Sequence, residues 1–267
     1  MKRLLHLVLA AVAVLLLVTA CNKPTSETSQ YVTDSQGRRL VSKIEIETIR
    51  SNGIEYCCEI EFEYDKNLRL AIVRKKGRTN DEPWSTEECH YEYFSDRIVG
   101  YITQEDYRVD SVVNMIGAKG YIDSCLLYTK GNIYKNTYSY DNNGRLTSID
   151  NETYEWNGDL LSITDQVFRK FHYTYLSDRV NHANIGFVDF GDLYDCTDNE
   201  SLIKNYFSNF SKGFVSECTL LQEDDDEPYS YTLEYSFDDA GFATSLVVLD
   251  WEDPSDKNYV KISYLKK

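Results

Sequence analysis

The chain has 267 residues, with 28 Lys and Arg against 44 Asp and Glu and a formal net charge of −16. A surface that acidic repels phosphate backbones, which excludes nucleic acid as a partner. Hydrophobic residues make up 42% of the chain and aromatics 13%, enough to bury a core and too much for a disordered polymer.

The N-terminus is organised in three parts: Lys2 and Arg3, an apolar run from Leu4 to Leu17 interrupted by His6, and Val18-Thr19-Ala20 before Cys21. That order is a secretory leader, 1–20. The apolar run is shorter than the roughly twenty residues a membrane helix needs, and a polar segment follows it. The aliphatic, small, small, Cys order resembles the bacterial lipobox. The resemblance implies cleavage before Cys21 and acylation of that residue, with palmitate-type chains fixing the new N-terminus in a membrane. Residues 21–38, which open Asn22-Lys23-Pro24-Thr25-Ser26, are polar and without apolar period, and read as a flexible tether. Residues 39–267 then form a single β domain. Lipoproteins exported to the cell surface in Bacteroidota carry acids just after the cysteine; here Glu27 stands alone. The expected address is therefore the outer membrane, facing the periplasm.

Downstream, apolar and polar residues alternate. Cys58, Ile60, Phe62 and Tyr64 fall on one face, with Glu59, Glu61 and Glu63 on the other. Tyr229, Tyr231, Leu233, Tyr235 and Phe237 repeat the pattern, and Val260, Ile262 and Tyr264 close the chain. A period of two predicts half-buried antiparallel strands. Between them recur Tyr64-Asp65-Lys66-Asn67-Leu68, Tyr140-Asp141-Asn142-Asn143-Gly144-Arg145-Leu146, Trp156-Asn157-Gly158-Asp159-Leu160 and Phe237-Asp238-Asp239-Ala240-Gly241-Phe242. Each is an aromatic strand end, a turn of residues that tolerate positive φ, and an apolar restart. The expectation is an all-β meander of hairpins that forms a curved sheet or partly closed barrel, apolar face inward. For the first hairpin a three-residue loop places Tyr64 opposite Leu68, Phe62 opposite Leu70, Ile60 opposite Ile72 and Glu63 opposite Arg69. The stretch 191–212 breaks the pattern. There Asp198-Asn199-Glu200-Ser201, followed by Leu202, Ile203, Tyr206, Phe207 and Phe210, predicts one short helix near 198–210.

Candidate chemistry is sparse. Six cysteines remain besides Cys21, an even count compatible with disulfides outside the inner membrane. Cys57 and Cys58 are adjacent on a strand and so face opposite sides. Cys196 with Cys218 is the candidate bridge, closing the helical insertion; buried free thiols are the equal alternative. No Cys or His spacing suggests a metal site, and no motif calls for a cofactor. His90, His172 and His182 fit sheet positions, and no nucleophile or phosphate-cradling motif occurs. The acidic run Glu223 to Glu227 lacks the spaced ligands of a calcium loop and reads as a solvated hairpin tip. Trp84 after Pro83 and Trp251 before Glu252-Asp253-Pro254 are candidate rings for stacking on sugars or a partner; the bland alternative folds each ring back over its hairpin. Ser111 in Asp110-Ser111-Val112 resembles the Asp-Ser/Thr-aliphatic acceptor for O-glycosylation in Bacteroidota.

The aromatic-Asp-x-x-Gly-Arg-Leu unit at Tyr140 to Leu146 is similar to YD-type repeats. Together with the lipobox, the hairpin array and the Tyr206-Phe207-Ser208-Asn209-Phe210 break, the chain resembles the Bacteroidota lipoproteins called domain of unknown function 4595. The resemblance implies a porin-like β fold and no assigned activity. The first unit departs from it, because Asp65-Lys66-Asn67 lacks the glycine. Two functions follow as expectations. One is a non-enzymatic envelope lipoprotein that binds or scaffolds glycans or an envelope protein. The other is an envelope glycan hydrolase with two carboxylates about 5 to 10 Å apart.

Overall fold

A computed structural model describes residues 30–50, 55–80, 82–104, 107–129, 131–166, 168–183, 211–222, 228–250 and 256–267. Cys21, Cys196, Trp251, the helix expected at 198–210 and the acidic run 223–227 lie outside the described residues. The compact unit Val32–Leu265 holds all the strands, and Tyr31 pairs with Lys266 in a small second unit.

The described residues form sixteen strands: β1 Val41–Ile49, β2 Glu55–Tyr64, β3 Leu70–Thr79, β4 Ser85–Tyr93, β5 Arg97–Gln104, β6 Tyr107–Ile116, β7 Ile122–Thr129, β8 Asn132–Tyr140, β9 Leu146–Ile149, β10 Glu152–Asn157, β11 Leu160–Gln166, β12 Arg169–Val180, β13 Gly213–Gln222, β14 Tyr229–Phe237, β15 Ala243–Asp250 and β16 Lys257–Tyr264. All are antiparallel in meander order. The barrel is closed rather than open or partly closed, because β16 pairs with β1 over Ile262↔Ile44 and Val260↔Ile46 and leaves no free edge.

Alternation decides the two faces as the pattern predicts. Ile44, Ile46, Cys58, Ile60, Phe62, Val73, Ile98, Val112, Leu233, Leu246, Val260 and Ile262 are buried inward. Lys43, Glu45, Glu59, Glu63, Arg74, Glu88 and Lys261 stand on the outside of β16 and β1–β4 and are bound into a ladder. Lys261 and Lys43 flank Glu45, Lys43 reaches Glu59, and Arg74 bridges Glu63 and Glu88.

The repeated turn has one geometry. In the loops starting at Asp34, Asp65 and Asp141, the carboxylate Oδ1 accepts from the backbone N–H two and four residues on. Its Oδ2 accepts from the Nε of the Arg at the fourth position, at 2.7 to 2.8 Å. Asp238 repeats the two backbone bonds at Ala240 and Phe242, at 3.0 and 2.9 Å. The third residue after the Asp has positive φ in all four: Gly37, Leu68, Gly144 and Gly241. Aromatic strand ends then join successive hairpins. Tyr64 Oη donates to the Val41 carbonyl, Tyr93 to Leu70, Trp156 Nε1 to Leu146, Tyr175 to Leu161 and Tyr264 to Ala243, at 2.5 to 2.8 Å. These bonds explain why an aromatic precedes the turn and an apolar restart follows it.

The first hairpin departs from its expected register. Its loop spans five residues, Asp65 to Arg69, so Tyr64 faces Leu70 and Phe62 faces Val73, with a bulge between. Glu63 faces Ile72 and pairs with Arg74, because Arg69 is held by Asp65 and lies over the Tyr93 ring at 4.1 Å. Leu68 takes the left-handed position at φ 61, a conformation costing an L-residue about 1–2 kcal/mol. Part of any relief is lost to the greater freedom of an unfolded glycine. Leu68→Gly is therefore expected to raise unfolding free energy by about 0.5–1 kcal/mol in urea titration.

The end carrying these turns is covered. Val32 to Leu40 forms a small hairpin around the Asp34 turn. From β1 it reaches Ala183 beyond β12, where Arg39 N–H donates to the His182 carbonyl at 3.1 Å. This places β structure inside the stretch 21–38 expected as a tether. At the opposite end inward residues are half-exposed, among them Tyr56, Leu127, Tyr154, Phe171, Tyr173, Tyr229 and Tyr231, and Tyr134 is 55% exposed.

Candidate functional site

Three surfaces are candidates. The first is a groove of about 560 Å³ on the outer wall of β2–β5, lined by Glu59, Glu61, Arg74, Lys76, Glu88 and Thr103 among others. Much of its charge is already engaged. Lys43 is held above its ordinary range chiefly by Glu59, and Glu88 below its own chiefly by His90 and then Arg74. The groove is an ion-paired ladder first, which limits the charge it can offer a ligand.

Trp84 lies beside it. Lys76 Nζ sits 4.4 Å and the Arg78 guanidinium carbon 5.0 Å from its ring centroid, so these two of the four cations of β3 stack on the indole. His90 faces outward against Glu88 and pairs with Tyr101. The second surface is the outer wall around Ser111 of β6, which stands between Tyr101 of β5 and Tyr128 of β7, with Ile133 of β8 next in the row. Those three neighbours are 38%, 37% and 62% exposed. Cys218 is on β13 between Tyr173 and Tyr231.

Cys57 and Cys58 do face opposite sides, since Cys58 is buried in the inward row and Cys57 is half-buried outside. Burial pushes the Cys89 thiol up to about 12 and raises that of Cys58 as well. A thiol that stays protonated is a poor nucleophile. In peptide mapping after brief maleimide exposure at pH 8, Cys57 is expected to label in the folded chain, and Cys58 and Cys89 only after denaturation.

The third surface is the open end. Phe171 of β12, Leu220 of β13 and Tyr229 of β14 form one inward row; Tyr173, Cys218 and Tyr231 form the next. The Phe171 and Tyr173 rings are 6.5 Å apart and within 10° of parallel. Tyr173 Oη donates to Thr164 Oγ1 at 3.2 Å. The alternating pattern announced these aromatics as core or ladder residues, and it carried no signal that they stand at a rim.

A carboxylate pair for glycan hydrolysis needs one acid held up in pH. The Glu45 carboxyl is held down by Lys261 and Lys43, and Glu88 by His90 and Arg74, the reverse of that requirement. Among the described residues no cluster of three His, Cys, Asp or Glu side chains is placed to hold a metal ion.

No protein-family model matches the chain, and no curated protein matches it. Nineteen chains of solved structures do. One is a porin-like protein from Bacteroides uniformis, 19% identical, superposing with a TM-score of 0.61 over 84% of this chain and 96% of that one. Another is a porin-like protein from Bacteroides vulgatus, 12% identical with a TM-score of 0.38, covering 85% and 98%. The first shares the closed β-barrel fold with this chain.

Proposed function

We propose that this chain is a non-enzymatic barrel of the cell envelope, anchored by lipid on Cys21 and standing in water beside the outer membrane, where it binds or scaffolds a glycan or an envelope protein. The observation that carries the reading is the orientation of the wall. A membrane barrel turns an apolar band to lipid, and Arg or Lys at its midplane costs about 2–4 kcal/mol. Here Lys43, Arg74, Lys170 and Lys261 point outward from β1, β3, β12 and β16 with their acids, while Ile44, Ile46, Ile60, Leu233, Leu246, Val260 and Ile262 point inward. A lipid on Cys21 supplies the attachment that such a wall does not. Within this reading Ser111, half-buried between two exposed tyrosines, is the glycan acceptor, Cys196 pairs with Cys218, and Trp84 and Trp251 are contacts for the partner.

The test is expression of the full chain in a bacterium with labelled palmitate, followed by alkaline carbonate extraction. The native chain should carry label and stay with membranes, and Cys21→Ser should lose both. A Cys21→Ser chain that resists extraction would overturn the reading in favour of a barrel embedded in lipid. The Ser111 peptide should show a glycan mass, and an unmodified peptide from the native host removes that site.

A further inference from the structure

We infer that the open end of the barrel is a binding site for a neutral oligosaccharide, seated on the aromatic wall formed by Phe171, Tyr173, Tyr229 and Tyr231. In a closed barrel an inward side chain far from the ends is sealed. These four are inward by register and yet half-exposed, so water reaches them through the open end. The two rows cross β12, β13 and β14, which at strand spacing is about 10 Å. That is wide enough to lay more than one sugar ring flat.

The chemistry of the wall selects the ligand. From β11 to β14 its two rows hold Thr164, Phe171, Leu220, Tyr229, Tyr173, Cys218 and Tyr231, none of them charged. A sugar presents an apolar C–H face and a rim of hydroxyls, which matches rings that end in hydroxyls of their own. Anionic saccharides are opposed by the net charge of −16. The second row continues at Asp250 of β15, opposite Tyr231, so a quaternary cation is the competing ligand, and it is tested below beside the sugars. Farther round the same inner face, Asn258 of β16 keeps a buried Oδ1 without a protein partner, an acceptor available to a sugar hydroxyl.

The inference deepens the binding role proposed above but does not depend on the anchor, so its test is run on both the full chain and Cys21→Ser. Titration calorimetry with uncharged linear hexasaccharides of glucose, mannose and N-acetylglucosamine should give saturable binding to at least one, equal in the two proteins. Tyr173→Ala and Tyr231→Ala should each weaken Kd tenfold or more in protein that still unfolds cooperatively in urea, and Tyr231→Phe should keep most of the affinity. Trp84→Ala, on the outer wall, should bind as the native chain does. Folded protein that binds none of the three sugars at millimolar concentration overturns the proposal, as does binding that survives both alanine variants. Binding of tetramethylammonium that is lost in the same variants, with no sugar bound, would replace the ligand class by a cation. A failure of either kind leaves the palmitate result unaffected, which separates it from a failure of the anchor reading.

Discussion

Replacing Arg39 with alanine is expected to cost about 3–5 kcal/mol of unfolding free energy, the range for removing one partner of a buried ion pair. Its side chain is 4% exposed and donates through Nη1 to Asp238 Oδ2 at 2.5 Å. The guanidinium carbon lies 3.6 Å over the Phe242 ring and 5.8 Å from Tyr264. Asp238 is 26% exposed, so water screens part of the lost pairing and the lower half of the range is the better expectation. Arg39→Lys should recover little, because an ammonium keeps the charge but not the planar group that stacks on Phe242. The pair also sets a pH dependence. Burial alone would raise the Asp238 carboxyl, but the Phe242 backbone N–H and Arg39 outweigh it and hold it low. A carboxyl lowered in the folded state adds stability that is present above its unfolded value, about 3.9, and is lost as pH falls through its folded value. Asp238→Asn should therefore flatten the acid limb of the stability curve. In a double-mutant cycle it should couple to Arg39→Ala by about 0.5–3 kcal/mol. Additive losses would show that the two residues act separately.

The alternation that announced β strands also announced which side chains face inward, because that pattern is local and has a period of two. Glu59, Glu61 and Glu63 against Cys58, Ile60 and Phe62 is a fact about three neighbours at a time. The turn was legible for the same reason: Asp141 closes on Asn143 and Arg145, all within five residues. Closure of the barrel was not, since Ile44 and Ile262 meet across more of the chain than any local pattern spans. The first register failed on a residue that breaks the rule for its position, Leu68 at positive φ, which hid the five-residue loop. Arg39 stood unremarked beside Arg38. Arg38 binds its own Asp34, whereas Arg39 reaches Asp238, and nothing in sequence spacing tells the two apart. The open-end wall was missed for a related reason. Periodicity tells which face Tyr229 and Tyr231 share with Leu233 and Tyr235, but it gives no depth along the barrel, and depth separates a rim from a core. Trp84 was singled out by its turn-like context, and its neighbours Lys76 and Arg78 come from the preceding strand, β3.

Phe214→Ala is expected to cost about 3–5 kcal/mol, as large-to-small changes of buried aromatics do. Phe214 is 1% exposed, and its ring centroid lies 5.1 Å from those of Tyr235 and Phe237. The size of such a loss depends on whether neighbours can fill the cavity, and here they are held. Tyr175 occupies the space beside Gly213, where an added Cβ would come within 2.3 Å of its ring. That ring is fixed because its hydroxyl donates to the Leu161 carbonyl at 2.5 Å and accepts from Ser211 Oγ at 3.0 Å. Phe237 is tied from outside by Arg179, whose guanidinium carbon is 4.6 Å from its centroid. A cavity with pinned walls stays open, so the upper half of the range is expected, measured as the shift of the urea midpoint at constant slope. A loss below about 1 kcal/mol would mean that the walls collapse and that the packing is looser than these contacts imply. Tyr235→Phe supplies the opposite sign in the same cluster. The Tyr235 hydroxyl is buried with no partner, and burial raises its ionisation well above the ordinary range. Deleting an unsatisfied buried hydroxyl while keeping the ring removes a desolvation penalty of about 1–3 kcal/mol, so this variant should be as stable as the native chain or more so. If Tyr235→Phe were as damaging as Phe214→Ala, the hydroxyl would have to be bonded, and the ring cluster would be held by polarity rather than by packing.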